Sequence, residues 1–314
     1  MEEVNNVIIG HTGYIGSLLS YKLSQRDNGL TLGISRNTIS SGIQSKNLNL
    51  FEFSCDIFKN EIDLKNIQLK NPIVYLNAHN FQPNFLNKKE SLSKIYLSNI
   101  DCYKILIKNL KKLSPQKIIF LSSSGSLYGN TNKNNPSNEN SILNPVSNYG
   151  MSKFILENLL NNFTKECFIP LTICRVSTIY GNSPSKKKFG FINHLISCAQ
   201  TNKVPFIYGE NTYRDYLHLE DLVEIIINIS DMDLKDEIYN ISSGCSYSCL
   251  QIYEIVKQNL KIYGNKLRNY EDKGLRLGEN DKIFISSMKL RNEIKWIPKF
   301  NIEEGIKKII MEIN

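Results

Sequence analysis

Seven cysteines without one Cys-x-x-Cys pair, only four histidines, and no apolar run approaching a membrane span set the first limits on this chain of 314 residues. The odd, scattered cysteines fit reduced thiols packed as small apolar groups. Cys245 and Cys249 stand apart from any histidine, so neither a disulfide framework nor a metal site is expected. No internal repeat is present. Polar Met1–Asn6 leads straight into an apolar strand pattern with no basic or long hydrophobic segment ahead of it, so a cytoplasmic protein without a signal peptide or a membrane partner is expected. Acidic residues are the scarcer charge, 30 against 38 basic, for a net charge of +8. The lysines are scattered and their longest cluster, Lys186–Lys188, falls in a loop pattern. Nucleic acid is therefore not an expected partner, whereas an anionic substrate suits the mild positive potential.

What the chain does contain is concentrated at Asn5–Leu23. Val7, Ile8 and Ile9 read as a short interior strand, Gly10, Gly13 and Gly16 form a GxxGxxG turn, and Leu18, Leu19 and Leu23 carry the apolar face of a helix beyond it. In such a turn the first glycine lets the chain reverse and the second lets backbone approach a pyrophosphate. The third lets helix and strand pack closely, so that helix-start amides, with Tyr14 and Ile15 among them, meet the phosphates. The implied ligand is a dinucleotide, the alternative being a turn and nothing more.

Strand patterns recur near 7–9, 30–34, 73–76, 117–122 and 171–176, with helical patterns between them, notably at about 90–112 and 149–162. This alternation predicts an α/β fold with a Rossmann-type doubly wound parallel sheet, whose ligands lie at the carboxyl ends of the strands. After Val176 the pattern becomes irregular, punctuated by Pro184, Gly190, Pro205 and Gly209, and a smaller C-terminal substrate-binding lobe is expected. Residues 1–172 plus about 215–243 are assigned to the dinucleotide-binding domain, and 173–214 plus about 244–314 to the lobe. Gly129–Ser147, rich in Asn, Ser and Pro, reads as a solvated connection rather than a mobile flap.

The chemistry is carried by KIIFLSSSGSLYG, which ends a strand in Ser122, Ser123 and Ser124, and by NPVSNYGMSKFILENLL, which opens a helix with Tyr149 and Lys153 on one face. A phenol has a free pKa of about 10, and a lysine ammonium one turn away favours the phenolate. Lys153 is also placed to reach a cofactor ribose. Ser124 would bind the same substrate oxygen as Tyr149 while hydride moves at the adjacent carbon. The Tyr-x-x-x-Lys spacing alone is cheap, since Tyr253 and Lys257 repeat it in what reads as a surface pair. The order of glycine turn, strand-end serines and tyrosine–lysine helix is what carries the reading.

In that order the chain resembles the extended short-chain dehydrogenase/reductase family, in its nucleotide-sugar epimerase/dehydratase branch, over nearly its whole length. By that resemblance GxxGxxG and Ser122 bind the dinucleotide, Asp56 and Ile57 of CDI contact the adenine, and Leu76, Asn77 and Ala78 of IVYLNA run along the cofactor. Asn99 matches the helix asparagine behind the active site, and Ser124, Tyr149 and Lys153 match the catalytic triad. CRVSTIYG, with Val176 and Thr178, resembles the strand and loop leading into the sugar-nucleotide lobe. Arg214 of YRDYLHLEDLVEII and Arg276 of LRLGENDKIFIS take the role of gripping the substrate diphosphate, for which paired guanidinium forks are suited. EIKWIPKFNIEEGIKKII resembles the closing element. A homodimer is implied as well, through Leu92–Leu113 and Tyr149–Phe163, each more apolar than one buried stripe requires.

Departures from the pattern narrow the chemistry. Gly125 and Ser126 stand where 4,6-dehydratases carry an Asp-Glu pair and the related decarboxylases a glutamate, which leaves epimerisation or simple carbonyl reduction. Ser35 and Arg36 stand where NAD users of this type place an aspartate. They suit a 2′-phosphate and favour NADP(H) over NAD(H), the other reading being an Arg36 that stacks on adenine. The leading expectation is thus an NADPH-dependent reduction of a nucleotide-diphosphate 4-keto (6-deoxy) sugar in bacterial surface polysaccharide biosynthesis. The alternatives are an NAD-dependent UDP-sugar 4-epimerase, which the serine triplet resembles although Thr178 replaces a common asparagine, and a non-catalytic NADP-binding sensor.

Overall fold

The structure, a computed structural model, describes residues 3–26, 29–37, 49–65, 67–79, 92–185, 189–235, 237–276 and 278–313, with backbone alone for 92–99. The first half alternates as the sequence predicts: β1 (Val4–Ile9), α1 (Tyr14–Ser24), β2 (Leu30–Ser35), β3 (Leu50–Ser54), β4 (Leu69–Leu76), α2 (Leu92–Leu113), β5 (Lys117–Ser123), α3 (Ser124–Leu127), α4 (Asn148–Cys167) and β6 (Leu171–Val176). Then come β7 (Thr178–Tyr180), α5 (Phe191–Gln200), β8 (Phe206–Ile207), β9 (Tyr213–His218), α6 (Leu219–Ser230), β10 (Ile238–Ile241), β11 (Ser246–Ser248), α7 (Cys249–Ile262), β12 (Glu271–Asp272), α8 (Met288–Ile294) and α9 (Ile302–Met311).

Seven strands form one parallel sheet in the order β10-β6-β5-β4-β1-β2-β3. Its inner strands are apolar because both faces are covered: all of β6 is buried, as are Ile118–Leu121 of β5. One face packs under α2 and α4 through Leu106, Leu110, Leu156 and Leu160, the other under α1 and α6 through Leu19, Leu23, Leu222 and Ile226. The chain runs outward from β1 to β3 and then crosses to β4 on the other side of β1. The carboxyl ends of β1 and β4 therefore flank the switch point where such sheets open a crevice. The edge strand β3 was not anticipated: its apolar residues, Leu50, Phe51 and Phe53, are few and interrupted by Glu52.

The lobe is built on a three-stranded sheet, β11-β9-β7, and on α5, α7 and α9, whose core includes Tyr180, Leu195, Ile252, Val256 and Ile306. A boundary after residue 172 falls inside β6, all of which pairs within the main sheet. The Tyr253–Lys257 pair is not a surface pair. Tyr253 is buried in the lobe core and its hydroxyl donates to Arg268 O at 3.0 Å, so the spacing there serves packing. Gly129–Ser147 contains no helix and is a fastened connection, with Thr131 N donating to Lys282 O and Ser137 N to Phe284 O. Lys186–Lys188 lie outside the described residues. All seven cysteines are free, and no helix among the described residues is long and apolar enough to cross a membrane.

Candidate active site

At the end of β1 the chain reverses through Gly10, whose φ of 92° places it in the region that favours glycine, and Gly10 N donates to Ile34 O at 2.7 Å. Gly16 makes the close approach: a Cβ there would collide with the Gly10 carbonyl oxygen, so α1 sits directly on the turn. Gly13 caps α1 without a side-chain bond, and no acid occupies the first turn, which leaves the helix-start amides open to an anion.

Gly13 and Asn77 line two cavities at once. The smaller, about 260 Å³, is walled by Gly10, Ser35, Arg36, Asp56, Ile57 and Ala78. Ser35 Oγ donates to Asn37 O at 2.6 Å, the Asp56 carboxylate accepts from Phe58 N at 3.2 Å, and Arg36 is exposed. This bare glycine cradle with open amides fits a dinucleotide whose pyrophosphate lies over the helix start. Leu76 is a correction: it is enclosed in the core and lines neither cavity, because alternate residues of a strand face opposite sides. The side chain of Asn99 lies outside the described residues. His79, Thr12, Cys55 and Phe58 also wall this cavity and were missed, although Cys55 and Phe58 flank the CDI segment's core and His79 follows Ala78 directly.

The larger cavity, about 530 Å³, brings together Tyr14, Ile15, Ser122, Tyr149, Val176 and Thr178. Its serine wall consists of Ser123, Gly125 and Ser126 as well. Ser124 lies just behind it, fully enclosed, and its Oγ, like those of Ser122 and Ser126, has no hydrogen-bond partner among the described residues. Tyr149 is placed by two local devices. Ser147 caps α4 by accepting from Gly150 N at 3.0 Å, and the missing side chain of Gly150 lets α4 close on the Ser126 carbonyl oxygen of α3.

Lys153 is buried, donates to Leu121 O at 2.7 Å, and holds its ammonium 4.8 Å from the Phe120 ring centroid and 5.8 Å from that of Tyr149. Burial lowers Lys153 to about 7, against an opposing pull from Glu157, and burial raises Tyr149 to about 12. Desolvation is the largest cause of both shifts, and the ammonium's hydrogen bond here goes to a backbone carbonyl. Glu157 itself is held by Arg175 at 2.8 Å, and Arg175 Nη1 donates to the Tyr128 hydroxyl at 3.0 Å.

Across the cavity stand Arg214 of β9 and Arg276, bridged by one carboxylate. Glu279 lies 3.4 Å from Arg214 Nη2 and 3.2 Å from Arg276 Nη1, and the Arg276 guanidinium stacks 3.5 Å from the Tyr208 ring centroid. Sequence reasoning missed Glu279, although it stands three residues after Arg276. The lobe is stitched to α1 beside this site. The Tyr14 hydroxyl donates to Gly181 O at 2.5 Å, Ser183 Oγ donates to Tyr14 O at 2.7 Å, and the Ser17 and Ser183 hydroxyls are 2.8 Å apart. Among the described residues no group of three or more His, Cys, Asp or Glu is placed to hold a metal.

The family model described as "NAD dependent epimerase/dehydratase family" matches residues 6–242. A Methanocaldococcus jannaschii protein named "Putative UDP-glucose 4-epimerase" is 27% identical over 314 residues, covering 97% of this chain and 96% of its own. An Escherichia coli dTDP-4-dehydro-6-deoxyglucose reductase is 28% identical over 228 residues, covering 72% of this chain and 70% of its own. Among solved structures, the Thermus thermophilus UDP-glucose 4-epimerase in complex with NAD superposes with a TM-score of 0.80 at 19% identity, covering 98% of each chain, and so shares the fold.

Proposed function

This chain belongs to the NAD dependent epimerase/dehydratase family, and from that premise we propose that it is a nucleotide-sugar 4-epimerase, inverting C4 of a hexose carried on a nucleoside diphosphate. One observation carries the reading: Tyr149 shares a cavity with Arg214 and Arg276, while Gly125 and Ser126 put no carboxylate beside it. In this reading the two arginines hold the diphosphate, and Tyr149 takes the proton from the sugar's 4-oxygen and returns it. Ser122 and Ser126 of the cavity wall, whose hydroxyls have no partner among the described residues, orient the ring oxygens, Ser124 is enclosed behind them, and Lys153 anchors α4 through Leu121 O. A bound nicotinamide dinucleotide supplies the hydride acceptor and donor. Gly10, Gly13, Tyr14 and Ile15 hold its phosphates, and Ser35, Arg36, Asp56 and Ile57 its adenosine. The wall near Tyr149 is made of serines and a glycine, which leaves a hexose room to present either face, as inversion at one carbon requires.

The near full-length likeness to the Methanocaldococcus jannaschii protein named "Putative UDP-glucose 4-epimerase" supports this reading over the leading expectation of an NADPH-dependent reductase. The reductase stands second, favoured by Ser35 and Arg36 on the adenosine-side cavity. Denaturing the purified protein and identifying what it releases separates the two. Stoichiometric NAD, with UDP-glucose then converted to UDP-galactose, is the expected result. An empty site that prefers NADPH overturns the epimerase in favour of the reductase.

A further inference from the structure

His79 follows β4 and walls the smaller cavity, yet its ring reaches the phenol that walls the larger one. The two rings meet edge to face, with centroids 5.3 Å apart and planes at 76°. Ser152, three residues after Tyr149 on α4, joins them: its Oγ donates to Tyr149 O at 2.7 Å and lies 3.2 Å from His79 Nε2. A hydroxyl has one proton: given to the Tyr149 carbonyl, the shorter of the two contacts, it leaves the Ser152 oxygen to accept from a His79 protonated on Nε2. Ser152 is held in turn, its carbonyl accepting from the Tyr103 hydroxyl of α2 at 3.0 Å. The imidazole plane is thereby fixed, and the Tyr149 ring is bounded by that plane and by the Lys153 ammonium.

We propose that His79 is a positioning residue for Tyr149, its ring fixing the plane of the phenol for proton transfer at the sugar; the proposal rests on the epimerase reading for its kinetic consequence, not for its geometry. Proton transfer tolerates little misplacement, and an edge-to-face pair shifts an equilibrium by up to about tenfold. Three full-length variants separate ring from hydrogen bond. His79→Ala removes both, His79→Phe keeps a ring without the bond to Ser152, and His79→Gln keeps a donor without the ring.

With UDP-glucose as substrate, His79→Ala is expected to lower kcat about tenfold at unchanged KM and dinucleotide affinity, His79→Phe to recover most of that loss, and His79→Gln to recover none. Rescue by Gln but not Phe, or a loss confined to KM or dinucleotide affinity, overturns the proposal. Tyrosine labelled with carbon-13 gives a readout independent of turnover, the Tyr149 ring signals being identified by their loss in Tyr149→Phe. Those signals should move in His79→Ala and His79→Gln and be largely kept in His79→Phe. An unmoved Tyr149 ring in His79→Ala overturns the inference, whereas a wild type that cannot interconvert UDP-sugars overturns only the epimerase reading.

Discussion

The two cavities are walled in opposite ways. One side of the smaller cavity is made by backbone: a glycine reversal, a helix start without a side-chain cap, and the ends of adjacent strands. The larger cavity is closed on one side by long side chains that converge from segments far apart in the chain, Arg214 and Glu279 being 65 residues apart. Backbone walls are specified by local pattern and fail by collision. Side-chain walls are specified by tertiary packing and fail by loss of charge or reach.

Four changes would break or sharpen that contrast. Tyr149→Phe should cut turnover about a thousandfold, within the range for removing a positioned acid–base group, while calorimetric titration shows dinucleotide affinity unchanged. Gly16→Ala should cost about 3 kcal/mol in chemical denaturation and weaken dinucleotide binding, because its Cβ collides with Gly10 O. Gly125→Ala, whose Cβ has no neighbour nearer than Ile283 Cγ2 at 4.0 Å, should leave stability unmoved. Arg214→Met should raise KM for a UDP-sugar about tenfold or more, by loss of a charged hydrogen bond worth about 2 kcal/mol, with dinucleotide affinity again unchanged.

A further effect concerns pH. Asp215 is enclosed beside Arg214 and accepts from Ser243 N and Gly244 N, and burial raises it to about 6 from an ordinary 3.8. Between those values the folded chain binds more protons than the unfolded one, so this group makes stability fall as pH rises from about 4 to about 6. The slope is at most about 1.4 kcal/mol per pH unit. Denaturation curves across that range should be flatter for Asp215→Asn than for the wild type. Equal slopes would show that the lobe's buried carboxylate is not what titrates.

The same division explains what the sequence made legible. Alternating patterns at 7–9, 30–34, 73–76, 117–122 and 171–176 sufficed for the parallel sheet, because buried parallel strands are continuous apolar runs. The edge strand β3 escaped because Leu50, Phe51 and Phe53 are too few to form such a run. Gly10, Gly13 and Tyr149 were found from motif and spacing, Arg214 and Arg276 from the family resemblance, and the structure sets them along two cavities that share Gly13 and Asn77. Spacing placed Lys153 near Tyr149 but not the direction of either pKa shift, which depends on burial. Glu279 and His79 were missed for a related reason: each matters through a partner that only folding brings close.

The irregular trace at 181–185 invites the inference that it moves freely. Its hydrogen bonds say otherwise, since Gly181 and Ser183 are tied to Tyr14 and Ser17 of the first turn of α1, and Asn193 of α5 adds a bond to Gly181 O at 3.1 Å. Amide exchange in this loop should therefore follow that of the helix start rather than that of a surface turn, the two opening together as a single cooperative unit.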